Sequence, residues 1–305
     1  MTKLYIGPMS KNVINAASSF DVGLIASRRQ IDFNSGYVGI NTKQFKETSS
    51  NVICRDHGGP NQGTLFDYGY DSLYDDCLYM NIIHIDPWKI AKSINHGIEL
   101  TIKYINFCYN INPNIEFEIG TEESIYKYDA KEFKLLLELV FANTEANIKY
   151  AVIQSGTKLS EDNNIGKYDS EQLKEMIKLC KQYSILSKEH NGDFLSDDLI
   201  KEKFNLGLDA INIAPEFGHI ETQCYLDYFS IEDKEVFYNL CLKHKAKWEK
   251  WFNKIPEDKN KIIKVAGHYV FNDLDFKKLL LKYELNNLVQ EKLKDKIGQL
   301  LNIIM

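Results

Sequence analysis

Eight short apolar runs recur along this chain, and each is followed by a polar stretch that can form a helix. Their starts lie about 20 to 35 residues apart, which is the spacing of strand–helix units joined by short loops. The runs cover residues 3–8, 22–26, 51–55, 80–85, 115–119, 149–154, 184–188 and 208–213. Regular alternation of this kind, without a break in composition, predicts one parallel sheet covered by helices.

Two folds satisfy this alternation, a closed (β/α)8 barrel and a doubly wound open sheet. The open sheet is disfavoured because no glycine-rich nucleotide-binding turn and no P-loop opens a predicted helix. We therefore predict a (β/α)8 TIM barrel over residues 1–225. Residues 226–305 are rich in lysine, leucine and aromatic residues. They predict a C-terminal helical extension packed on the barrel, with packing on another subunit as the alternative.

The composition limits the partners and the compartment. The net charge of −6 gives no electrostatic reason to expect nucleic acid or an anionic membrane surface as a partner. No apolar run is long enough to span a bilayer. The six cysteines are scattered without a C-x-x-C pair, so we expect reduced, buried thiols and a cytoplasmic location.

The third run ends in an acid and an imidazole side by side. Residues 51–60 read Asn-Val-Ile-Cys-Arg-Asp-His-Gly-Gly-Pro, so a strand delivers Asp56 and His57 into a tight turn. Parallel barrels keep their active sites at the carboxyl ends of the strands. An acid beside an imidazole offers a proton carrier next to a metal ligand, as metal-assisted carbon–carbon cleavage requires.

Polar residues also follow the other seven predicted strands, and as a set they predict a functional site at one end of the sheet. Arg28 and Arg29 could hold a phosphate group through paired N–H donors, and Lys11 or Lys89 could serve the same end. His84 lies between two isoleucines and is predicted to be a core histidine with satisfied hydrogen bonds. His219 and His268 are interpreted as turn residues, with His268 a candidate to cover the barrel mouth.

Residues 55–61 resemble the Asp-His-x-Gly-Pro-Asn turn of the second, non-catalytic-type subunit of tagatose-bisphosphate aldolase. Further segments resemble that family in the same order along the chain. They are Gln30 with residues 35–37, then residues 83–86, 119–122, 152–156 and 189–193, and in the tail 248–252 and 267–269. That family is related to the class II, zinc-dependent fructose- and tagatose-bisphosphate aldolases, which are (β/α)8 barrels.

The resemblance implies roles for individual residues. Asp56 matches the proton-transferring aspartate, and Glu118 matches a glutamate of the Glu-x-Glu-x-Gly strand, so both are candidate catalytic residues. His57 and His190 match two zinc ligands. The candidate substrate-binding residues are Ser10, Asn12, Arg28, Arg29, Gln30, Asp86, Gln154 and Asn212, the last matching an asparagine that contacts the enediolate-forming substrate.

The sequence departs from the catalytic aldolases at the sixth strand. Gln154 stands where those enzymes carry a further zinc-ligating histidine. A catalytic zinc usually has three protein ligands and one open position. A third ligand would therefore come from Glu118, Glu122, His84 or the C-terminal segment.

These observations predict a metal-dependent, class II-type aldolase that acts on a phosphorylated ketose through an enediolate, with Zn²⁺ as the cofactor. Two alternatives stay open. The first is a catalytically silent barrel subunit that stabilises a partner aldolase, and the second is a sugar-phosphate isomerase or epimerase on the same scaffold. A homo-oligomer or a heteromeric complex with an aldolase partner is also possible.

Overall fold

In the computed structural model, which describes residues 2–304, eight parallel strands form a closed barrel. Each strand pairs with its neighbours in sequence, and Leu4 of the first strand pairs with Ile211 of the eighth to close the ring. The strands are Leu4–Ile6, Gly23–Ser27, Val52–Gly58, Ile82–Ile85, Glu116–Gly120, Asn147–Ile153, Leu186–Glu189 and Ala210–Ile213. The predicted TIM barrel is confirmed.

A helix follows each strand and covers the outside of the barrel, as the right-handed connection of parallel strands requires. These helices are Lys11–Ala17, Thr42–Thr48, Tyr70–Tyr79, Ile94–Ile111, Ala130–Asn143, Ser170–Gln182, Asp197–Asn205 and Pro215–Tyr228. Several begin at side-chain caps that the sequence encodes. The side chain of Asp129, for example, accepts hydrogen bonds from the backbone N–H groups of Lys131 and Glu132, and the backbone N–H of Asp129 donates to the carboxylate of Glu132.

The chain continues beyond the eighth unit into a helical segment. Its helices are Ile231–Lys243, Lys245–Trp248, Lys259–Ala266, Leu274–Leu280 and Asn286–Ile304. The last helix contacts the first, seventh and eighth helices of the barrel. The helix Pro215–Tyr228 runs across residue 225, where we predicted a domain boundary, and the division into two domains stays a prediction. Within residues 2–304, no helix is both long and apolar enough to span a bilayer.

Side-chain alternation along the strands builds the barrel interior in layers. One apolar layer forms the floor, and its buried members are Tyr5, Ile25, Cys54, Ile82, Tyr150 and Ala210. Two residues farther along three of these strands come Asp56, His84 and Asn212. Period-two alternation therefore places these polar side chains above the floor, toward the carboxyl ends of the strands.

Candidate active site

An irregularity in the third strand turns two consecutive side chains toward the barrel mouth. In a regular strand, neighbouring side chains point to opposite faces. Here the pairing register with the fourth strand shifts between Arg55 and Gly58, and His57 has a φ of 49°. An irregularity of this kind is a common way to re-aim a side chain beside an active site. Asp56 and His57 consequently line the same pocket.

The imidazole of His57 is oriented by Asp86, which follows the fourth strand. Nδ1 of His57 lies 2.5 Å from Oδ2 of Asp86, and the same oxygen accepts a hydrogen bond from the hydroxyl of Thr121 at 3.0 Å. Because an ionised carboxylate only accepts, Nδ1 of His57 carries the proton in this bond. Burial lowers the pKa of His57, but the carboxylates of Asp56 and Asp86 outweigh it and raise the pKa to about 9.

His190 is oriented in the same way by Glu118 of the fifth strand. Nε2 of His190 lies 2.6 Å from Oε1 of Glu118, and Nζ of the buried Lys188 lies 2.6 Å from Oε2. Lys188 itself sits 3.6 Å above the ring of Tyr5 in the barrel floor. Burial raises the pKa of Glu118, but the charge of Lys188 and the bond from His190 hold the pKa well below its usual range. An ionised carboxylate is thus fixed behind His190.

One oxygen of Asp56 lies among three imidazoles. Oδ1 of Asp56 is 3.4 Å from Nε2 of His57, 3.6 Å from Nδ1 of His84 and 3.5 Å from Nδ1 of His190. This oxygen is buried and has no hydrogen-bond partner within residues 2–304. Burial raises the pKa of Asp56, but the three histidines outweigh it and hold the pKa well below its usual range. An anionic oxygen beside imidazole nitrogens offers the donor chemistry that zinc prefers.

Three groups of side chains bring possible metal-ligand atoms within 4.8 Å of one another. They are Asp56–His57–His84, His57–Glu122–His190 and His84–Glu118–His190. These groups share residues, so they describe one region with several possible ligand sets. The residues present therefore fit a divalent cation.

Hydrogen bonds already made by two of these residues distinguish the sets. His84 donates from Nε2 to the carbonyl of Gly120 at 3.0 Å and accepts the backbone N–H of His57 at Nδ1, so it behaves as the predicted core histidine. The two oxygens of Glu118 already accept hydrogen bonds, one from Nζ of Lys188 and the other from Nε2 of His190. The carboxylate of Glu122 also accepts hydrogen bonds, from the Ser124 hydroxyl and the Asn191 amide, but within residues 2–304 it forms no salt bridge with a lysine or arginine. Its group with His57 and His190 lines the pocket with all three members.

The pocket above this centre has a cavity volume of about 120 Å³ and opens to solvent. Its walls come from the carboxyl ends of the strands and from the C-terminal segment, which adds Trp251, His268 and Tyr269. The indole N–H of Trp251 donates to the hydroxyl of Tyr269 at 3.0 Å, and Tyr37 packs against the Tyr269 ring. The C-terminal segment therefore covers one side of the barrel mouth.

Three of the eight predicted substrate-binding residues line this pocket, namely Arg29, Gln30 and Asn212. Asp86 is buried behind His57. Gln154 is also buried, and its side chain bonds to the backbone of Thr121, Tyr126 and Tyr128. Asp86 therefore orients the His57 ring, and Gln154 supports the loop after the fifth strand. Neither residue lines the pocket.

The other three predicted substrate-binding residues are held by carboxylates elsewhere. The side chains of Ser10 and Asn12 both bond to Glu221 of the helix Pro215–Tyr228. Arg28 is buried in ion pairs, 3.0 Å from Asp32 and 2.7 Å from Asp67. Adjacent residues after the second strand point apart, so only Arg29 of the arginine pair reaches the pocket.

Sequence reasoning missed several residues of this site. Lys188 lies two positions before His190, so strand alternation could have placed it inside the barrel beneath that histidine. His219, His268 and Trp251 line the pocket. The sequence suggested turns for the two histidines, with His268 a candidate to cover the barrel mouth, and it assigned Trp251 no role in the site. No local pattern reveals Trp251 and His268, because their positions depend on how the C-terminal segment folds back.

Fold and site together define a (β/α)8 barrel with an acid–histidine centre at the carboxyl ends of its strands. No protein-family model matches the sequence, and no curated protein matches it. Among solved structures, the chain is similar to a probable tagatose 6 phosphate kinase from Sinorhizobium meliloti 1021. That match has 14% identity and a TM-score of 0.76, and it covers 99% of this chain and 100% of that one.

Two further solved structures share the barrel. The YdjI aldolase from Escherichia coli K12 has 14% identity and a TM-score of 0.54, over 98% of this chain and 91% of that one. The fructuronate-tagaturonate epimerase UxaE from Cohnella laeviribosi has 9% identity and a TM-score of 0.68, and the match covers 99% of this chain and 81% of that one. At these identities the likeness shows the fold, and the resemblance to aldolases stated from the sequence is confirmed at that level.

Proposed function

We propose that this protein is a metal-dependent, class II-type aldolase that cleaves a phosphorylated ketose. One observation carries the proposal. His57 and His190 are each held by a carboxylate from behind, and each turns its other ring nitrogen toward Asp56. Metal-ligating histidines are commonly oriented in this way by a carboxylate behind the ring.

The proposed ligands are His57, His190 and Glu122, with Zn²⁺ as the expected metal because the set contains two imidazoles and one carboxylate. Glu122 supplies the third ligand that the sequence left open. When bound, the metal supplies Lewis acidity that stabilises the enediolate left by carbon–carbon cleavage. Asp86 and Glu118 keep the two imidazoles in the required tautomers.

Asp56 is the proposed proton carrier. It lies beside both histidines, it lines the pocket, and its buried oxygen lacks a hydrogen-bond partner within residues 2–304. In the cleavage direction, Asp56 accepts the proton from the C4 hydroxyl of the ketose. In the condensation direction it returns that proton to the new hydroxyl.

Three cations are proposed to hold the phosphate. Arg29 lines the pocket, Lys250 lies 4.9 Å from the ring of the pocket residue Trp251, and Lys89 follows the fourth strand. Burial and the charge of Arg29 lower the pKa of both lysines, that of Lys250 to about 8, as expected when like charges share one region. In the described part of the chain, none of the three forms a salt bridge, and a phosphate would neutralise them.

A second candidate is a sugar-phosphate epimerase or isomerase. The observation that favours it is the presence of two carboxylates, Asp56 and Glu122, on one pocket with the histidines. One carboxylate of such a pair could take a proton from carbon and the other could return a proton to carbon or oxygen, so that a C–H bond breaks and re-forms while the carbon–carbon bonds stay intact. The barrel is also similar to that of an epimerase, although that likeness concerns the fold.

Incubation of zinc-loaded protein with fructose 1,6-bisphosphate and tagatose 1,6-bisphosphate tests the proposal. We expect triose phosphates, detected by a coupled reductase assay, and ¹³C NMR of the same samples separates cleavage from epimerisation. Epimerised hexose without triose would support the second candidate. The absence of both products with zinc bound would contradict an enzymatic role on these ketoses and would favour the supporting-subunit alternative.

A further inference from the structure

A second set of polar side chains lines the pocket beside the proposed metal ligands. Asn212 comes from the eighth strand, His219 from the helix Pro215–Tyr228, and His268 from the 3-10 turn Gly267–Tyr269. All three are almost fully buried, with 6%, 3% and 3% of their surface exposed. The proposed metal, proton-transfer and phosphate roles use none of them.

These residues carry polar atoms that the protein leaves unpaired. Among residues 2–304, seven buried side-chain nitrogen or oxygen atoms lack a hydrogen-bond partner. Four of the seven are Oδ1 of Asn212, Nδ1 of His219 and both ring nitrogens of His268. Buried polar atoms are usually paired, so a cluster of unpaired ones in a single pocket points to a ligand that pairs them.

The charge state of the histidines defines the chemistry of that ligand. Burial, with a smaller contribution from Lys264, lowers the pKa of His219 to about 4. Burial and the neighbouring His219 lower the pKa of His268 well below its usual value. Both rings are therefore neutral at neutral pH, and a neutral imidazole has one donor and one acceptor nitrogen. Hydroxyl groups match this pattern, whereas a phosphate or carboxylate would favour cations such as Arg29.

Packing holds the two rings in position. The ring of His219 lies 5.2 Å from that of Phe194, and the ring of His268 lies 5.6 Å from Tyr37 and 4.1 Å from Tyr269. A methyl group at Gly218 would lie 3.1 Å from the His268 ring, so glycine leaves the room that this imidazole occupies. Preorganised donors and acceptors bind with little loss of conformational freedom.

We propose that His219 and His268, together with the already predicted substrate-binding residue Asn212, form a subsite that binds the neutral, polyhydroxylated part of the ketose and selects it by the configuration of its hydroxyl groups. This proposal depends on the proposed function in one respect, because it takes the ligand to be a sugar phosphate. Cations hold the phosphate, and neutral side chains read the hydroxyls.

The variants His219→Phe and His268→Phe test this subsite, because phenylalanine keeps the ring shape and removes the nitrogens. Calorimetry of zinc-loaded protein with fructose 1,6-bisphosphate and tagatose 1,6-bisphosphate should show binding weakened about tenfold or more in each variant. Zinc content should stay unchanged. The Tm of the unliganded variants should stay equal or rise, since unpaired buried nitrogens are removed. His96→Phe changes a histidine outside the pocket and serves as the matched control.

Each outcome of these measurements either supports or overturns the proposed subsite. Unchanged affinity in both variants, or no binding of either bisphosphate by the zinc-loaded natural protein, would overturn the subsite. A lower Tm with loss of zinc would show that these histidines only support the fold, which also overturns it. Weakened binding in the variants without cleavage by the natural protein would establish the subsite and reject the aldolase reaction, so the two proposals fail separately.

Discussion

Nε2 of His190 lies 2.6 Å from the carboxylate of Glu118, and this bond defines what Glu118 does. The sequence suggested a catalytic role for Glu118. In the structure, Nζ of Lys188 donates to the second oxygen of Glu118, and the side chains of Lys188 and Glu118 are both fully buried. The Glu118 carboxylate therefore lies on the side of the His190 ring that faces away from the pocket. Glu118 is therefore best understood as the residue that positions His190 and fixes its tautomer.

We expect Glu118→Gln to weaken zinc binding by about 10- to 100-fold, because the amide no longer forces Nε2 of His190 to carry its proton. Competition with a chromophoric chelator measures the affinity. Glu116→Gln on the same strand removes a carboxylate that pairs with Lys149 instead, and it should leave zinc binding unchanged.

Glu118→Gln also leaves Lys188 buried without its counter-ion, so loss of zinc could follow from misfolding. The double variant Glu118→Gln/Lys188→Met removes that charge. We expect it to regain a natural Tm while zinc binding stays weak. Recovery of zinc affinity in the double variant would show that the effect of Glu118 is on the fold alone.

Asp56→Asn should lower kcat by about 10²- to 10⁴-fold with zinc still bound, because the proton carrier is lost and the proposed ligands remain. Turnover and metal content are measured on the same sample. Asp71→Asn, at an exposed position in the helix Tyr70–Tyr79, is the matched control. Full activity in Asp56→Asn would assign the proton transfer to another group.

The two consecutive arginines should behave oppositely. Arg29→Ala should raise KM for a phosphorylated ketose about tenfold or more without changing stability, since Arg29 lines the pocket and pairs with no carboxylate in residues 2–304. Steady-state kinetics measures this change. Equal KM values in the natural protein and Arg29→Ala would remove Arg29 from the phosphate site.

Arg28→Ala should instead destabilise the fold by about 3–5 kcal/mol, because it leaves the buried carboxylate of Asp32 without its cation. Urea unfolding measures this loss. A loss of stability in Arg29→Ala of the same size would contradict the distinction between the two residues.

The pocket residue Asp193 predicts a pH dependence of stability. Burial, and then the nearby Glu216, raise its pKa to about 7 from an ordinary value of 3.8. The folded state thus holds this proton to higher pH than the unfolded state does. The resulting stabilisation is complete below about pH 4 and is lost as the pH rises through 7.

Asp193→Asn cannot titrate, so this loss should be absent from the variant. Urea unfolding with chelator present, at pH 5 and at pH 8, measures the free energy of unfolding of both proteins. Relative to the variant, the natural protein should lose about 2–3 kcal/mol between the two pH values. Parallel pH dependences in the two proteins would contradict the raised pKa.

The sequence was sufficient to predict the barrel, because each strand is buried on both sides and reads as an apolar run bounded by polar turns. Asp56 and His57 could also be predicted as site residues, because they directly follow one of these apolar runs. Strand alternation would also have placed Lys188 beneath His190. Apolar runs, turns and strand alternation involve residues close together in the chain, so a single sequence is enough to detect them.

The rest of the site depends on distant parts of the chain. Arg28 and Arg29 look equivalent in sequence, and only the positions of Asp32 and Asp67 separate them. The pairing of Glu122 with two histidines from other strands depends on the closed barrel. His268 reaches the pocket because the C-terminal segment folds back over the mouth, a contact that spans most of the chain.

The metal content of the purified protein tests the central claim most directly. Mass spectrometry should find about one zinc ion per chain in the natural protein and little in His57→Ala and His190→Ala, because each variant removes a proposed ligand. His96→Ala should retain the natural zinc content. Absence of zinc from the natural protein, even after incubation with the metal, would contradict the account, as would full zinc content in both ligand variants.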